Sequence, residues 1–311
     1  MRPGDASRAR TFAKKLRGFA KNIHPLPGID TKANRDCFVE QLVESVRRVE
    51  FVHSLMSRTL SPERADPASP VFDPIRGAIW RLSNGDFEGA GWLVFLSVHF
   101  GRNRRTGWRL AANVMRGLNT GRRWDWADIR GNPEKFRSWL RRYRQQLSDA
   151  GGGFGNHRKY MSLEPDSDAH TGAAFVTYVN WVVSNGGHER LIRVAESNAS
   201  NVPTVAFQML YDSMRAVASF GRTGRFDFLV MLSKLKMASI DPPSLYLEGA
   251  TGPLTGARLM FGGDTKAPMR KTVLDQRGRR LATALGMPMH VLEDALCNWQ
   301  KSPGRFIAYR G

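Results

Sequence analysis

Apolar residues three and four positions apart recur along almost the whole chain, and strict alternation is scarce. Phe38, Leu42, Val46, Val49 and Val52 trace one such stripe, and Val205, Met209, Met214 and Val217 trace another. A stripe of that period gathers on one face only when the backbone is helical, since a strand gathers every second residue. The spacing predicts helices near 33–58, 73–82, 86–100, 105–117, 133–149, 171–184, 187–195, 203–219, 225–236 and 288–301. The stretches "LSPERADPASPVFDP" and "LEPDSDAH" are punctuated by Pro, Asp and Ser and read as loops. The expected class is all-α. A helical domain is expected over 24–311, divisible into lobes at 24–150 and 151–311, behind a basic segment at 1–23.

Charge narrows the function classes. Against 47 Lys and Arg stand 28 Asp and Glu, a formal net charge of +19, as expected of a polyanion binder. Arg dominates the surplus, and its planar fork suits phosphates and base edges. Cys37 and Cys297 are too few for a disulfide framework, a zinc knuckle or an iron–sulfur cluster, so no metal and no cofactor is expected, in a reducing cytoplasm. The best candidate for a membrane span, "FVTYVNWVV", is too short and too interrupted by Thr, Tyr and Asn. At the N-terminus Phe12, Leu16 and Phe19 at helical spacing predict a solvated helix close to phosphates.

Four stretches have the composition of a site. "GGGFGNHRKYMSL" sets Gly151, Gly152, Gly153 and Gly155 beside Asn156, His157, Arg158 and Lys159: backbone freedom next to donors for a phosphate or base edge. "SFGRTGRFDFLVMLSKLKMASIDPPS" reads as a helix ending near Phe220, a tight turn at Gly221–Gly224 and a new helix from Arg225. That is a helix-hairpin-helix, with Arg222 and Arg225 flanking turn amides that grip one phosphate. Asp241 follows, roughly where helix-hairpin-helix DNA glycosylases carry their catalytic aspartate. "YLEGATGPLTGARLMFGGD" clusters Gly249, Gly252, Gly256, Gly262 and Gly263 around Arg258, which suits an anion pocket as well as two closely packed helices. In "VLEDALCNWQKSPGRF", steps of four align Glu293, Cys297 and Lys301 on one stripe. The helix "PEKFRSWLRRYRQQL" adds Arg137, Arg141, Arg142 and Arg144, an excess that favours phosphate contact for some of them.

Several longer motifs, "HPLPGID", "FVEQLVESVRRVEF", "FDPIRGA", "WLVFLSVHFG", "GFGNHRKYMSL", "GATGPLTGARLMFGG" and "LEDALCNWQKSP", together resemble the alpha-glutamyl/putrescinyl thymidine pyrophosphorylase family, clade three. The resemblance runs from about His24 to Pro303. It implies a helical fold related to helix-hairpin-helix DNA glycosylases and work on hypermodified bases of phage DNA. Phage members replace the pyrophosphate of an activated 5-hydroxymethyluracil in DNA with an amino acid or amine. A bacterial relative is similar to an anti-phage glycosylase that removes alpha-glucosylated 5-hydroxymethylcytosine, and this chain resembles that kind more closely. The phage transferases carry an Asn-x-x-Arg element where Glu44 to Arg48 lies here, and an acid near Asn298 and Trp299. What carries over is Gly252 with Pro253, the pair Arg47 and Arg48, and the Glu293, Cys297 and Lys301 frame.

The expected activity is therefore base flipping and hydrolysis of an N-glycosidic bond in double-stranded DNA bearing bulky modified bases, with no obligate protein partner. Asp241 or Glu293 is the expected carboxylate, and Lys301 the alternative, covalent nucleophile. Arg47, Arg48, Asn156, His157, Arg158, Lys159, Arg222, Arg225, Gly252 and Arg258 are the expected DNA or base contacts. The alternatives are a transferase that displaces pyrophosphate from an activated 5-hydroxymethyl pyrimidine and a non-catalytic DNA-binding module.

Overall fold

A computed structural model describes residues 3–308. The first two and last three residues, at the ends of the expected 1–23 and 24–311 segments, lie outside the described residues. Fourteen α-helices and no strand occur among the described residues, so the chain is all-α. In chain order the helices are α1 Pro3–Asn22, α2 Lys32–Met56, α3 Pro74–Ser83, α4 Phe87–Phe100, α5 Arg109–Met115, α6 Trp126–Ile129, α7 Pro133–Asp149, α8 His170–Ser184, α9 His188–Asn198, α10 Pro203–Ser213, α11 Arg222–Lys234, α12 Gly252–Gly262, α13 Lys271–Leu285 and α14 Met289–Trp299.

These helices form two compact units. The first combines the described residues up to Val52 with those from Asp241 onward, and the second is His53–Ile240. The expected lobe boundary at 150/151 falls inside the second unit, and the first unit is assembled from two described segments far apart in the chain. A composition shift along the sequence has no means of reporting a unit closed between segments nearly 200 residues apart.

The first unit is built on α1, most of α2, and α12 to α14. Leu16, Phe38, Leu42, Leu274, Leu281, Leu292, Leu296 and Trp299 are fully buried in its core. The N-terminal segment is part of that core rather than a solvated helix, because Phe12, Leu16 and Phe19 present one apolar stripe, each 8% exposed or less. α13 was absent from the expected helices although Leu274, Gly278, Leu281 and Leu285 trace a buried face; the charged run "DQRGRR" between them obscures it. α12 and α14 approach closely at a glycine: a Cβ on Gly256 would stand 2.3 Å from the Leu296 carbonyl oxygen.

The second unit is organised around α4 and α8. Every residue of α4 from Gly89 to Phe100 is buried, as its unbroken sequence "GAGWLVFLSVHF" requires of a helix without a polar stripe. Phe95 stacks on Tyr178 at 3.8 Å between ring centroids and Phe136 on Phe175 at 4.1 Å. Such pairs contribute about 0.5–1.5 kcal/mol each beyond the area they bury. Helix starts follow local chemistry: Asp73 caps α3 ahead of Pro74, Asp86 caps α4, and Asn132 caps α7 ahead of Pro133.

Two expected elements are corrected here. The helix expected from 105 starts only at Arg109, because Asn103 and Gly107 close a tight turn through two backbone hydrogen bonds. The Gly221–Gly224 hairpin is not a turn between helices. α10 ends at Ser213, and Gly221 is the extended N-cap of α11, whose first turn contains Arg222, Thr223 and Gly224. Glycine at 224 is explained by packing, since a Cβ there would lie 3.1 Å from the Phe220 ring.

Candidate functional site

The three expected catalytic residues all fall in the first unit, around α14. Asp241 lies just ahead of Pro242 and Pro243, and its Oδ1 is 3.7 Å from Nδ1 of His290 in the first turn of α14. The Asp241 side chain is 42% exposed and the His290 side chain 8%. Glu293, on the next step of the same helix face, is 9% exposed. Lys301 lies beyond the helix end, and its Nζ donates to Asn298 Oδ1 at 2.9 Å. Asn298 Nδ2 in turn donates to Asp294 Oδ1 at 2.9 Å.

Asp294 is the residue that sequence reasoning missed. Its carboxylate accepts two contacts from Arg48 Nη1, at 2.7 and 2.9 Å, and one from the Ser45 hydroxyl at 2.6 Å. The signal was present: His290, Asp294 and Asn298 repeat at steps of four, one residue out of phase with the stripe of Glu293, Cys297 and Lys301. Arg48, expected to touch DNA, thus joins α2 to α14 through Asp294. Arg47 likewise pairs with Glu44 at 3.4 Å and approaches Asp5 at 4.0 Å.

The glycines of the 249–263 stretch divide by role. Gly252 begins α12, and a Cβ there would stand 2.6 Å from the Cys297 sulfur; with Gly256 it lets α12 lie against α14. Gly249 and Gly263 have φ of 72° and 77°, the left-handed conformation that side chains resist. Arg258 is half-buried on α12, and its Nε is buried without a hydrogen-bond partner among the described residues.

In the second unit, the glycine-rich loop is held by its backbone. The Gly155 amide donates to the Phe100 carbonyl at 2.8 Å, and Asn103 donates to the Phe154 carbonyl at 3.0 Å. A Cβ on Gly155 would meet the Gly101 carbonyl carbon at 2.8 Å, so close approach of two chain segments explains this glycine. Arg158 points inward, donating to the Val98 carbonyl and pairing with Asp227 at 3.3 Å. Asn156, His157 and Lys159 are exposed, with Lys159 over the ring of the 80% exposed Tyr160. Arg222 and Arg225 lie over the rings of Phe226 and Tyr211, at 4.3 and 4.1 Å. Arg141 and Arg144 on α7 pair with Asp166 and Glu164.

Residues 33–311 match the family described as alpha-glutamyl/putrescinyl thymine pyrophosphorylase clade 3. The chain belongs to that family. No curated protein and no solved structure matches it. Membership of the alpha-glutamyl/putrescinyl thymine pyrophosphorylase family makes this an enzyme of modified-base DNA chemistry. Among the described residues no helix is long and apolar enough to cross a membrane, and no group of three or more His, Cys, Asp or Glu is placed to hold a metal ion.

Two further polar groups in this clade 3 chain, the half-buried Glu88 and the buried His99, have structural roles. Glu88 accepts from Nδ1 of His188 at 2.8 Å and from the amides of His188 and Glu189, capping α9, while the Tyr178 hydroxyl meets His188 Nε2 at 2.7 Å. Burial alone would raise the Glu88 carboxyl, but the imidazole and the two amides hold it down at about 2. His99 is 1% exposed among Phe95, Phe100, Phe154, Phe175 and Phe220; burial, helped by the Arg158 charge, lowers it to about 3.

Proposed function

We propose that the chain is a DNA glycosylase that flips a bulky modified pyrimidine out of double-stranded DNA and hydrolyses its N-glycosidic bond. Alpha-glucosyl-5-hydroxymethylcytosine in phage DNA is the proposed substrate, the bacterial cytoplasm the proposed location, and an abasic site the product. The observation that carries the reading is the acid pair around α14: an accessible Asp241 beside His290 and a buried Glu293 one helical step further.

Breaking the glycosidic bond leaves electron deficiency on the sugar, which a nearby carboxylate stabilises while a second polar group orients water. Asp241 is assigned the sugar-facing role because its oxygens are reachable, with His290 fixing its orientation. Glu293 is assigned to water or to the departing base. Water attacks the sugar carbon, the carbon–nitrogen bond breaks, and the base leaves with the bonding electron pair and a proton. Lys301 donates to Asn298 within the network that Asp294 and Arg48 complete, which favours hydrolysis over covalent attack by the amine and strand cleavage.

Incubation of the purified protein with glucosylated phage DNA and with plain DNA tests this. Released base and abasic sites are expected from the first alone, and DNA left intact throughout overturns the reading. A second reading, displacement of pyrophosphate from an activated 5-hydroxymethyl pyrimidine by an amine, is supported by Arg258, whose unpartnered Nε on glycine-rich α12 suits an anion. Transfer of a labelled amine onto such DNA with release of pyrophosphate would establish it instead.

A further inference from the structure

The second unit contains a cavity of about 540 Å³, in the range of nucleotide-sized ligand sites, that the expected DNA contacts do not touch. One wall is the proline-punctuated loop from Pro67 to Asp73, and the other is the chain from Arg102 to Arg116. Five arginines line it: Arg64, Arg76, Arg102, Arg109 and Arg116. One carboxylate, Asp73, shares the lining, and its Oδ1 accepts the Ile75 and Arg76 amides as the cap of α3.

The positive charge here is uncompensated. Among the described residues Arg76, Arg102, Arg109 and Arg116 have no ion-pair partner, in contrast to Arg48, Arg81, Arg141, Arg144 and Arg158. The wall is also built in advance. Asn103 Oδ1 accepts the Arg105 and Thr106 amides, and Asn103 and Gly107 exchange two backbone hydrogen bonds. Gly107 has φ of 60° at that turn. Arg64 Nη1 donates to the Val71 carbonyl and holds the opposite loop. Donors in the wall are left over: Thr106 Oγ1, Trp108 Nε1 and Arg116 Nε are buried with no hydrogen-bond partner. Gathering five guanidinium groups round one cavity costs electrostatic energy that an anion recovers, and planar forks match phosphate oxygens two at a time.

We infer that this cavity is a phosphate-binding site that takes two or more linked phosphate groups. They come either from a nucleic-acid strand or from a free di- or triphosphate. The inference does not rest on base excision, since its test uses unmodified DNA and reads binding alone.

The test is fluorescence anisotropy of the full chain with a plain oligonucleotide, with inorganic pyrophosphate and ATP as direct ligands by calorimetry, for the wild type and for Arg102→Gln with Arg109→Gln. Both positions are exposed and unbonded, so the double variant keeps the wild-type unfolding midpoint. For a strand, oligonucleotide affinity falls about tenfold or more at low salt and the salt slope drops by about two. For a free polyphosphate, stoichiometric pyrophosphate or ATP binding is lost while oligonucleotide affinity holds. Either result supports the site. Arg104→Gln with Arg105→Gln removes the same charge from the same turn outside the cavity lining. Equal losses from both double variants, or no loss of any probe from the first, overturn the inference.

Discussion

Two pairs of arginines, one in each unit, meet opposite fates. On α2 of the first, Arg48 is locked to Asp294 and Arg47 is shared between Glu44 and Asp5. In the second, Arg102 and Arg109 flank a pre-formed turn and have no ion-pair partner among the described residues. The sequence sets an adjacent basic pair in each region, Arg47–Arg48 and Arg104–Arg105, and does not mark which arginines will meet an acid. A net charge of +19 is thus a property of the whole chain, while availability to an outside anion depends on which arginines the fold has left unpaired.

The largest effect expected is chemical. Under the glycosylase reading, Glu293→Gln and Asp241→Asn should each lower base release about a thousandfold, measured in single turnover with glucosylated DNA. DNA affinity should change little for Glu293→Gln, because under that reading strand contact falls on unpaired arginines rather than on a buried acid. Next comes stability. Asp294→Ala removes the carboxylate that accepts from Arg48, Ser45 and Asn298 and should cost about 2 kcal/mol in denaturant unfolding. Arg109→Gln should stay within about 0.5 kcal/mol of wild type in the same measurement. Equal costs at Asp294 and Arg109 would erase the distinction between paired and unpaired charge.

Acid should act on the second unit through the buried His99 and the half-buried Glu88. The folded-state value of His99, about 3, lies below its ordinary 6.5, so its contribution is complete above 6.5 and is lost as pH falls toward 3. Glu88, at about 2 against 4.5, contributes fully above 4.5 and loses that contribution as pH falls toward 2. Unfolding midpoints should therefore decline from pH 6.5 downward, and Glu88→Gln should remove the steepest part below 4.5. The smallest effect belongs to the solvent-exposed pair that Arg141 of α7 makes with Asp166 of the loop before α8. Arg141→Gln should leave the unfolding midpoint unchanged, since exposed ion pairs contribute little against screening and side-chain entropy.

Some of the site was legible and some was not. Asp241, Glu293 and Lys301 were singled out from spacing, and all three lie in one unit around α14. Asp294 escaped because i, i+4 logic on one helix cannot say which of two adjacent acids meets Arg48 from α2. The helix-hairpin-helix reading misassigned Gly221, which is the N-cap of α11, and Gly224, where a Cβ would crowd the Phe220 ring. In the glycine-rich loop, Gly155 answers to the neighbouring backbone at Gly101, a contact with no local signature.

By itself the sequence determined the helical class, the boundaries of most helices to within a few residues, and the family, since periodicity, caps and motifs are local properties of the chain. The tertiary structure alone decided that the described residues before His53 and after Ile240 build one unit, that Arg48 is paired with an acid and Arg102 is not, and that five arginines line a cavity. Each of those outcomes depends on which distant segments come within a few ångströms, where Coulomb and packing energies act, and separation along the chain does not encode that distance.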